Sequence, residues 1–160
     1  MPETGSGEIR TLRERALAKN LPDLVAACDA ELARRPIDVD GPQAARHAEW
    51  ARAAAGLDLR RTTAMAFSAC KPSAQESIIL PFIAANPDAT FQALGKVYGK
   101  GDLGLAIGHL VYDRYGFFQH LFEEGKDQSS VLIQKRPSPE GIRYTLRPEA
   151  EAALRELGVV

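Results

Sequence analysis

The stretch from Asp102 to Leu146 constrains the fold most, because a helix, a glycine stop and a two-stranded ribbon follow each other there with little spare sequence. Asp102 can cap a helix whose apolar residues recur at helical spacing. We expect Gly116 to end this helix in the left-handed conformation, which glycine adopts without steric cost. The apolar positions are Leu103, Leu105, Ala106, Ile107, Leu110 and Val111.

The residues that follow predict a β-ribbon. Ser129 to Arg136 has the composition of a strand, Pro137 to Gly141 that of a turn, and Ile142 to Leu146 alternates apolar and polar side chains. We expect residues 130–136 to pair with residues 142–146.

Two helices are predicted before this stretch and one after it. Ser73 and Glu76 have the spacing of a capping box, which begins a helix that Pro81 should kink or shorten. A short helix is expected from Asp88 to Leu94, followed by a glycine-rich turn. Another helix should close the chain from Glu149 to Leu157.

The first part of the chain predicts a helical extension. Residues 1–8 form a polar tail that we expect to be disordered, and a helical hairpin is predicted over 9–19 and 22–35. A third, alanine-rich helix should span 42–55 and carry His47 and Trp50 on one face. That pair is interpreted as a packing anchor, with base stacking as the alternative. The segment 62–70 fits a strand or a short helix equally well.

Composition is that of an ordinary soluble protein, with 45% hydrophobic and 26% charged residues and a net charge of −1. No apolar run approaches the roughly 20 residues that span a bilayer, and no signal-peptide core is visible, so we expect a cytoplasmic protein without membrane contact. Cys28 and Cys70 lack the spacing of a zinc site and are expected to be reduced and structural. No cofactor or metal is predicted.

Residues 73–158 resemble a winged helix-turn-helix of the kind found in bacterial regulators. Leu110 to Phe117 resembles the end of a recognition helix, and Tyr144 to Leu154 resembles a wing strand leading into a last helix. The order helix, helix, helix, strand, turn, strand, helix carries the resemblance further. It implies a mainly α fold with a small antiparallel β-ribbon (α+β), in which a helical extension (9–72) precedes a winged-helix domain (73–160).

The resemblance implies duplex DNA binding, as in a transcriptional regulator or a DNA reader. The third helix offers few base-reading groups beyond His109 and Arg114, and its two glycines weaken it by about 1 kcal/mol each relative to alanine. We therefore expect the wing to contact phosphates. The predicted DNA-binding residues are Lys96, Lys100, His109, Arg114, Lys135, Arg136 and Arg143.

The alternative is a protein-interaction module that uses the same fold without DNA. Its apolar third helix and an aromatic cluster would hold the partner, since interface centres are rich in aromatic residues and poor in charge. The cluster comprises Tyr98, Tyr112, Tyr115, Phe117 and Phe118. A homodimer is expected through the N-terminal helices, whose apolar stripes a small domain cannot cover alone. No motif of a known catalytic site is present, so an enzyme is not expected.

Overall fold

The computed structural model describes residues 6–34 and 41–160. The chain is mainly helical with one small antiparallel sheet, which confirms the predicted α+β class. It divides between Arg46 and His47 into two compact units. We call them the N-terminal unit (described for residues 6–34 and 41–46) and the C-terminal unit (47–160). No helix in the described residues is long and apolar enough to cross a membrane.

The N-terminal unit contains the predicted hairpin, formed by α1 (Ser6–Ala18) and α2 (Pro22–Arg34). Asn20 has a φ of 53° and turns the chain between the two helices. The Arg13 guanidinium lies 2.5 Å from the Asp29 carboxylate and joins them. Ser6 to Glu8 was predicted to belong to a disordered tail, but it forms the first turn of α1; residues 1–5 lie outside the described residues.

The C-terminal unit begins within α3 and ends after a last helix. Its elements, in chain order, are α3 (Gly41–Ala54), α4 (Leu59–Ala69), α5 (Glu76–Ala85), β1 (Ala89–Thr90), α6 (Phe91–Tyr98), α7 (Leu103–Tyr112), α8 (Tyr115–Phe118), β2 (Ile133–Ser138), β3 (Gly141–Leu146) and α9 (Pro148–Glu156). The sequence of elements from α5 to β3 and the sheet order β1-β3-β2 are compatible with a winged helix.

The β2–β3 hairpin starts later than predicted. Ile133 pairs with Leu146 and Ser138 with Gly141, so Pro139 and Glu140 alone form the tip. Residues 128–131 form a 3-10 turn instead of the first half of a strand. The side chain of Asp127 accepts hydrogen bonds there from the backbone N–H and the hydroxyl of Ser129. Such local bonds compete with strand pairing, and the sequence pattern did not reveal them.

The short strand β1 replaces the start of a predicted helix. Ala89 pairs with Tyr144 and Thr90 with Arg143, although we expected a helix from Asp88 onwards. The Thr90 hydroxyl accepts a hydrogen bond from the N–H of Ala93, which makes Thr90 the cap of α6. The helix therefore begins at Phe91 and extends to Tyr98.

Gly116 does not end α7 in a left-handed conformation, which corrects that prediction. It lies inside α8, and its φ is not positive. Its role is close packing: a Cβ atom on Gly116 would lie 2.2 Å from the carbonyl oxygen of His47. The Gly116 N–H donates to His47 Nδ1 at 3.0 Å, and Trp50 stacks on Phe117 with ring centroids 4.6 Å apart. His47 and Trp50 therefore anchor α3 to α8.

The core of the C-terminal unit reaches further back in the chain than the predicted boundary at residues 72 and 73. Ala66 and Phe67 on α4 are buried in the same cluster as Leu110 on α7 and Leu154 on α9. The ambiguous segment is thus a helix, and it packs along α9. Its apolar side supplies part of the core of the C-terminal unit.

Candidate functional site

The predicted site residues lie on three neighbouring parts of the C-terminal unit: the α6–α7 turn, helix α7 with the residues that follow it, and the β2–β3 hairpin. Lys96 and Lys100 belong to the first part, and His109 and Arg114 to the second. Lys135, Arg136 and Arg143 belong to the hairpin. These side chains differ in their burial and in their ion-pair partners.

Arg114 is buried, with only 1% of its surface exposed. Its Nη2 lies 2.8 Å from Glu76 Oε2, while Nε and Nη1 donate to the carbonyl oxygens of Cys70 and Leu110. The guanidinium also lies 3.9 Å from the ring centroid of Phe67. All three nitrogens of the guanidinium thus donate to acceptors inside the protein. The prediction that Arg114 presents a donor to a base edge does not fit this placement.

The partner of Arg114, Glu76, has a second role that the sequence did reveal. Its Oε2 accepts a hydrogen bond from the N–H of Ser73, and Ser73 Oγ accepts one from the N–H of Glu76. This confirms the capping box at the start of α5. The long-range ion pair to Arg114 had no signal in the sequence, because the two residues are far apart in the chain and each occurs in an unremarkable local pattern.

Lys135 is held at the base of the hairpin by Asp127. Its ammonium group forms an ion pair with that carboxylate. Burial disfavours the charged form of Asp127, but hydrogen bonds from Lys135 and Ser129 outweigh this and lower the pKa of the carboxyl below its ordinary value. The charge of Lys135 is therefore already compensated.

The two hairpin arginines also have acidic partners. Arg136 lies 2.5 Å from the Asp88 carboxylate. Arg143 pairs with Glu140 at the tip and donates to the Asp88 carbonyl oxygen at 3.1 Å. The hairpin predicted to present cations to phosphates thus carries them as partly exposed ion pairs.

Lys96 and Lys100 differ from the hairpin cations. Both are exposed, and neither forms an ion pair with any residue that the structure describes. Lys96 lies in the last turn of α6, and Lys100 lies in the turn between α6 and α7. Of the predicted cations on this side of the fold, these two are available to an external anion.

Helix α7 has a second apolar face that points to solvent. Its inner face places Leu103, Ile107, Leu110 and Val111 in the core. On the other side, Leu105 is 60% exposed and Tyr112 is 51% exposed. We call Gly104, Leu105, Gly108, His109 and Tyr112 the outer face of α7. No Lys, Arg, Asp or Glu occurs between Leu103 and Tyr112.

His109 is the one polar side chain on the outer face. Its Nδ1 lies 3.1 Å from Asp113 Oδ1, and its ring meets the ring of Tyr112 edge to face at 5.5 Å between centroids. The Nδ1 contact and the ring contact are both made within one helical turn. The histidine is thus part of the surface of α7 and is oriented by its own helix.

A groove runs beside the outer face, between α7 and the start of α5. Tyr98, Leu105 and Ala106 supply its apolar lining, and its charged side chains are carboxylates, with His109 beside them. The lining residues are Ser73, Gln75, Glu76, Tyr98, Asp102, Leu105, Ala106, His109 and Asp113. No Lys or Arg is among them. The side chain of Asp102 also accepts a hydrogen bond from the N–H of Leu105, which confirms the predicted cap of α7.

The predicted aromatic cluster is not a single surface. Phe117 and Phe118 are buried in the core, and Tyr115 packs against His47 and Phe122. Tyr112 alone of the five is largely exposed, while Tyr98 lines the groove. Of these five residues, the accessible aromatic surface is therefore Tyr112 on α7.

Comparison with known proteins adds no family: no protein-family model, curated protein or solved structure matches the chain. Within the described residues, no group of three or more His, Cys, Asp or Glu side chains is arranged to hold a metal ion.

Proposed function

We propose that the C-terminal unit is a protein-interaction module and that the outer face of α7 binds the partner. The observation that supports this is the absence of charge on α7 together with the exposure of Leu105 and Tyr112. A helix that is apolar on all sides is normally covered on all sides. Its inner face is covered by the core of the unit, so a partner should cover the outer one.

The energetics favour binding at this face. Burying a leucine or a similar side chain contributes about 1.5–3 kcal/mol, and tyrosine is enriched among the residues that dominate interface energies. Gly104 and Gly108 have little around them where a Cβ atom would lie. Their lack of side chains allows another backbone to approach the helix closely between Leu105 and Tyr112.

The electrostatics point the same way. The C-terminal unit contains 13 Lys or Arg and 13 Asp or Glu, so its formal charge is zero. The hairpin cations are paired with carboxylates, and Arg114 is buried. A surface that binds duplexes mainly through phosphates normally concentrates positive charge. Association through apolar contacts has no such requirement.

Site-specific photo-crosslinking in the cells that express the protein tests the proposal. The crosslinking residue p-benzoylphenylalanine would replace Leu105, Tyr112 or, as a control, Leu157, which is an exposed apolar residue after α9. We expect adducts of the same mass from positions 105 and 112 and no adduct from position 157. Adding Gly108→Glu should abolish the adducts at positions 105 and 112. Equal adducts from all three positions, or none from 105 and 112, would contradict the proposal.

Duplex DNA remains a second candidate, favoured by one observation. Lys96 and Lys100 are exposed cations without an ion-pair partner in the described residues, and they lie at the turn before α7 in a fold compatible with a winged helix. The hairpin cations could join them, because surface ion pairs are worth about 0–1 kcal/mol and a phosphate can replace the carboxylate.

A salt titration separates the two candidates. If DNA is bound, Arg136→Ala combined with Arg143→Ala should weaken binding to every duplex by a similar factor and lower the slope of log affinity against log salt by up to about 2. An unchanged slope would remove the hairpin as a phosphate contact. Absence of duplex binding by the native protein at low salt would leave the protein-interaction module as the sole candidate.

A further inference from the structure

We infer that the partner segment recognised by the outer face of α7 is a basic amphipathic helix, an inference that rests on the proposed function. The apolar and charged residues that line the groove beside α7 support this inference. Its apolar lining comes from Tyr98, Leu105 and Ala106, and the carboxylates of Asp102 and Asp113 lie at the two ends of α7. An apolar strip between two negative charges is complementary to an apolar strip between two positive ones.

The charge of the groove comes from Asp102 and Asp113. Glu76 also lines it, but its carboxylate is compensated by the buried guanidinium of Arg114. His109 interacts with Asp113 through Nδ1 and adds no negative charge. No Lys or Arg belongs to the lining, so no permanently charged cation within the groove compensates the carboxylates of Asp102 and Asp113.

The groove favours a helix over an extended segment. Its walls are α7 and the start of α5, whose backbone groups are used within their own helices and caps. An extended partner would therefore find no free row of backbone donors and acceptors to pair with. A helix satisfies its own backbone hydrogen bonds and needs only side-chain contacts.

The spacing of the two carboxylates fixes the pattern of the partner. Asp102 and Asp113 are eleven residues apart, which is about 16 Å along a helix at 1.5 Å per residue. Eleven residues are close to three turns, so two cations at positions i and i+11 of the partner lie on one face. Apolar side chains at i+4 and i+7 would lie between them, over Leu105 and Ala106.

Two labelled peptides test the inference against the full chain by fluorescence anisotropy. Both would be alanine-based helices with leucine at i+4 and i+7; one carries lysine at i and i+11, the other glutamate at both. We expect the lysine peptide to bind at least about 5-fold more tightly at low salt, with the difference shrinking as salt screens the charges. Equal affinities, or binding of neither peptide, would overturn the inference.

Two variants separate failure of the inference from failure of the proposed function. Asp102→Asn with Asp113→Asn removes both charges while asparagine still caps α7, and should weaken the lysine peptide by about 2- to 10-fold. Leu105→Ser should weaken both peptides. If Leu105→Ser weakens both and the Asn pair changes neither, the surface is correct and the basic partner is wrong. If Leu105→Ser changes neither, the outer face is not the docking surface.

Discussion

Gly116 and His47 approach each other so closely that no side chain fits between them. We predict that Gly116→Ala destabilises the protein by about 1–3 kcal/mol, the usual cost of overpacking, because the new Cβ atom would lie 2.2 Å from a backbone oxygen that cannot rotate away. Denaturant unfolding measures the change. The His47–Gly116 hydrogen bond and the stacking of Trp50 on Phe117 should weaken together.

The matched control is Gly108→Ala on α7. Nothing lies within 4 Å of the position of a Cβ atom at Gly108, and alanine is better than glycine in a helix by about 1 kcal/mol. This variant should therefore be as stable as the native protein or more so. Equal effects of the two substitutions would show that the contact at Gly116 is not tight.

Arg114 and Glu76 form a buried ion pair, in which each charge compensates the other. Glu76→Gln or Arg114→Met should cost about 3–5 kcal/mol, since each leaves a buried charge uncompensated. The double variant should cost clearly less than the sum, because it leaves no isolated charge. Chemical denaturation of the four proteins in this cycle measures the coupling. Additive losses would mean that the two side chains do not compensate each other.

The structural roles of single residues were predictable where their contacts are local in the sequence. The caps at Asp102 and Ser73 were visible because the acceptor and its backbone donor are three residues apart. The burial of Arg114 was not predictable, because its carboxylate partner lies 38 positions earlier in the chain. The prediction that Gly116 ends α7 was wrong for a similar reason: a glycine needed for close packing looks the same in sequence as one needed for positive φ.

Helix α7 has two apolar faces with different energetic roles, and a pair of variants distinguishes them. Leu110→Ala should cost about 2–5 kcal/mol, because Leu110 is fully buried in the core. Leu105→Ala should change stability by less than about 0.5 kcal/mol, because this side chain is largely exposed. Thermal and urea melts provide the comparison. Similar losses would indicate that α7 is oriented differently.

The hairpin is connected to the preceding 3-10 turn by Asp127, whose lowered pKa gives a pH dependence. A carboxyl with a depressed folded pKa stabilises the protein above its unfolded pKa, about 3.9, and the contribution is lost as pH falls through the folded value. We predict that Asp127→Asn is less stable than the native protein near pH 7 and that the difference shrinks below about pH 4.

The control for this pH dependence is Glu124→Gln, which neutralises an exposed carboxylate nearby in the chain. Its stability difference from the native protein should be small at every pH. Unfolding free energies measured from neutral to acidic pH provide both curves. A pH-independent difference for Asp127→Asn would show that its ion pair with Lys135 does not stabilise the fold.

Elements with strong helical periodicity were predicted within a few residues, including α1, α2, α3 and α7. Their apolar spacing and their caps agree, so local sequence suffices. The strand β1 was missed because two residues carry no periodicity and their partner, β3, lies over fifty residues later. The ambiguous segment 62–70 became a helix because it packs along α9, a contact that no local pattern encodes.

The net charge of the chain could be predicted from the sequence, but the ion pairs that its charged side chains form could not. The near-neutral sequence indicated that any basic surface must be local, but not that the hairpin cations would find carboxylates. Asp88 joins the β2–β3 hairpin because β1 pairs with β3, so an unpredicted strand determines the electrostatics of this hairpin. With its cations paired, the hairpin presents less free positive charge than its sequence suggests.

The N-terminal unit raises the question of self-association. Its two hairpin helices are thirteen residues each, close to the length at which isolated helices are marginal in water. Leu17 and Leu21 are exposed near the turn of this hairpin. We propose that two copies of the chain associate through their hairpins, because that would bury apolar surface that so short a pair leaves in water.

Sedimentation measures this association directly. The full chain should behave as a dimer at micromolar concentration, and removal of residues 1–36 should give a monomer. Leu17→Ser combined with Leu21→Ser should shift the equilibrium towards monomer without unfolding the C-terminal unit, whose core contains neither residue. Leu105→Ser, on the outer face of α7, is the matched control and should leave the dimer intact. A monomeric full chain, or a dimer that survives the deletion, would contradict association through the α1–α2 hairpin.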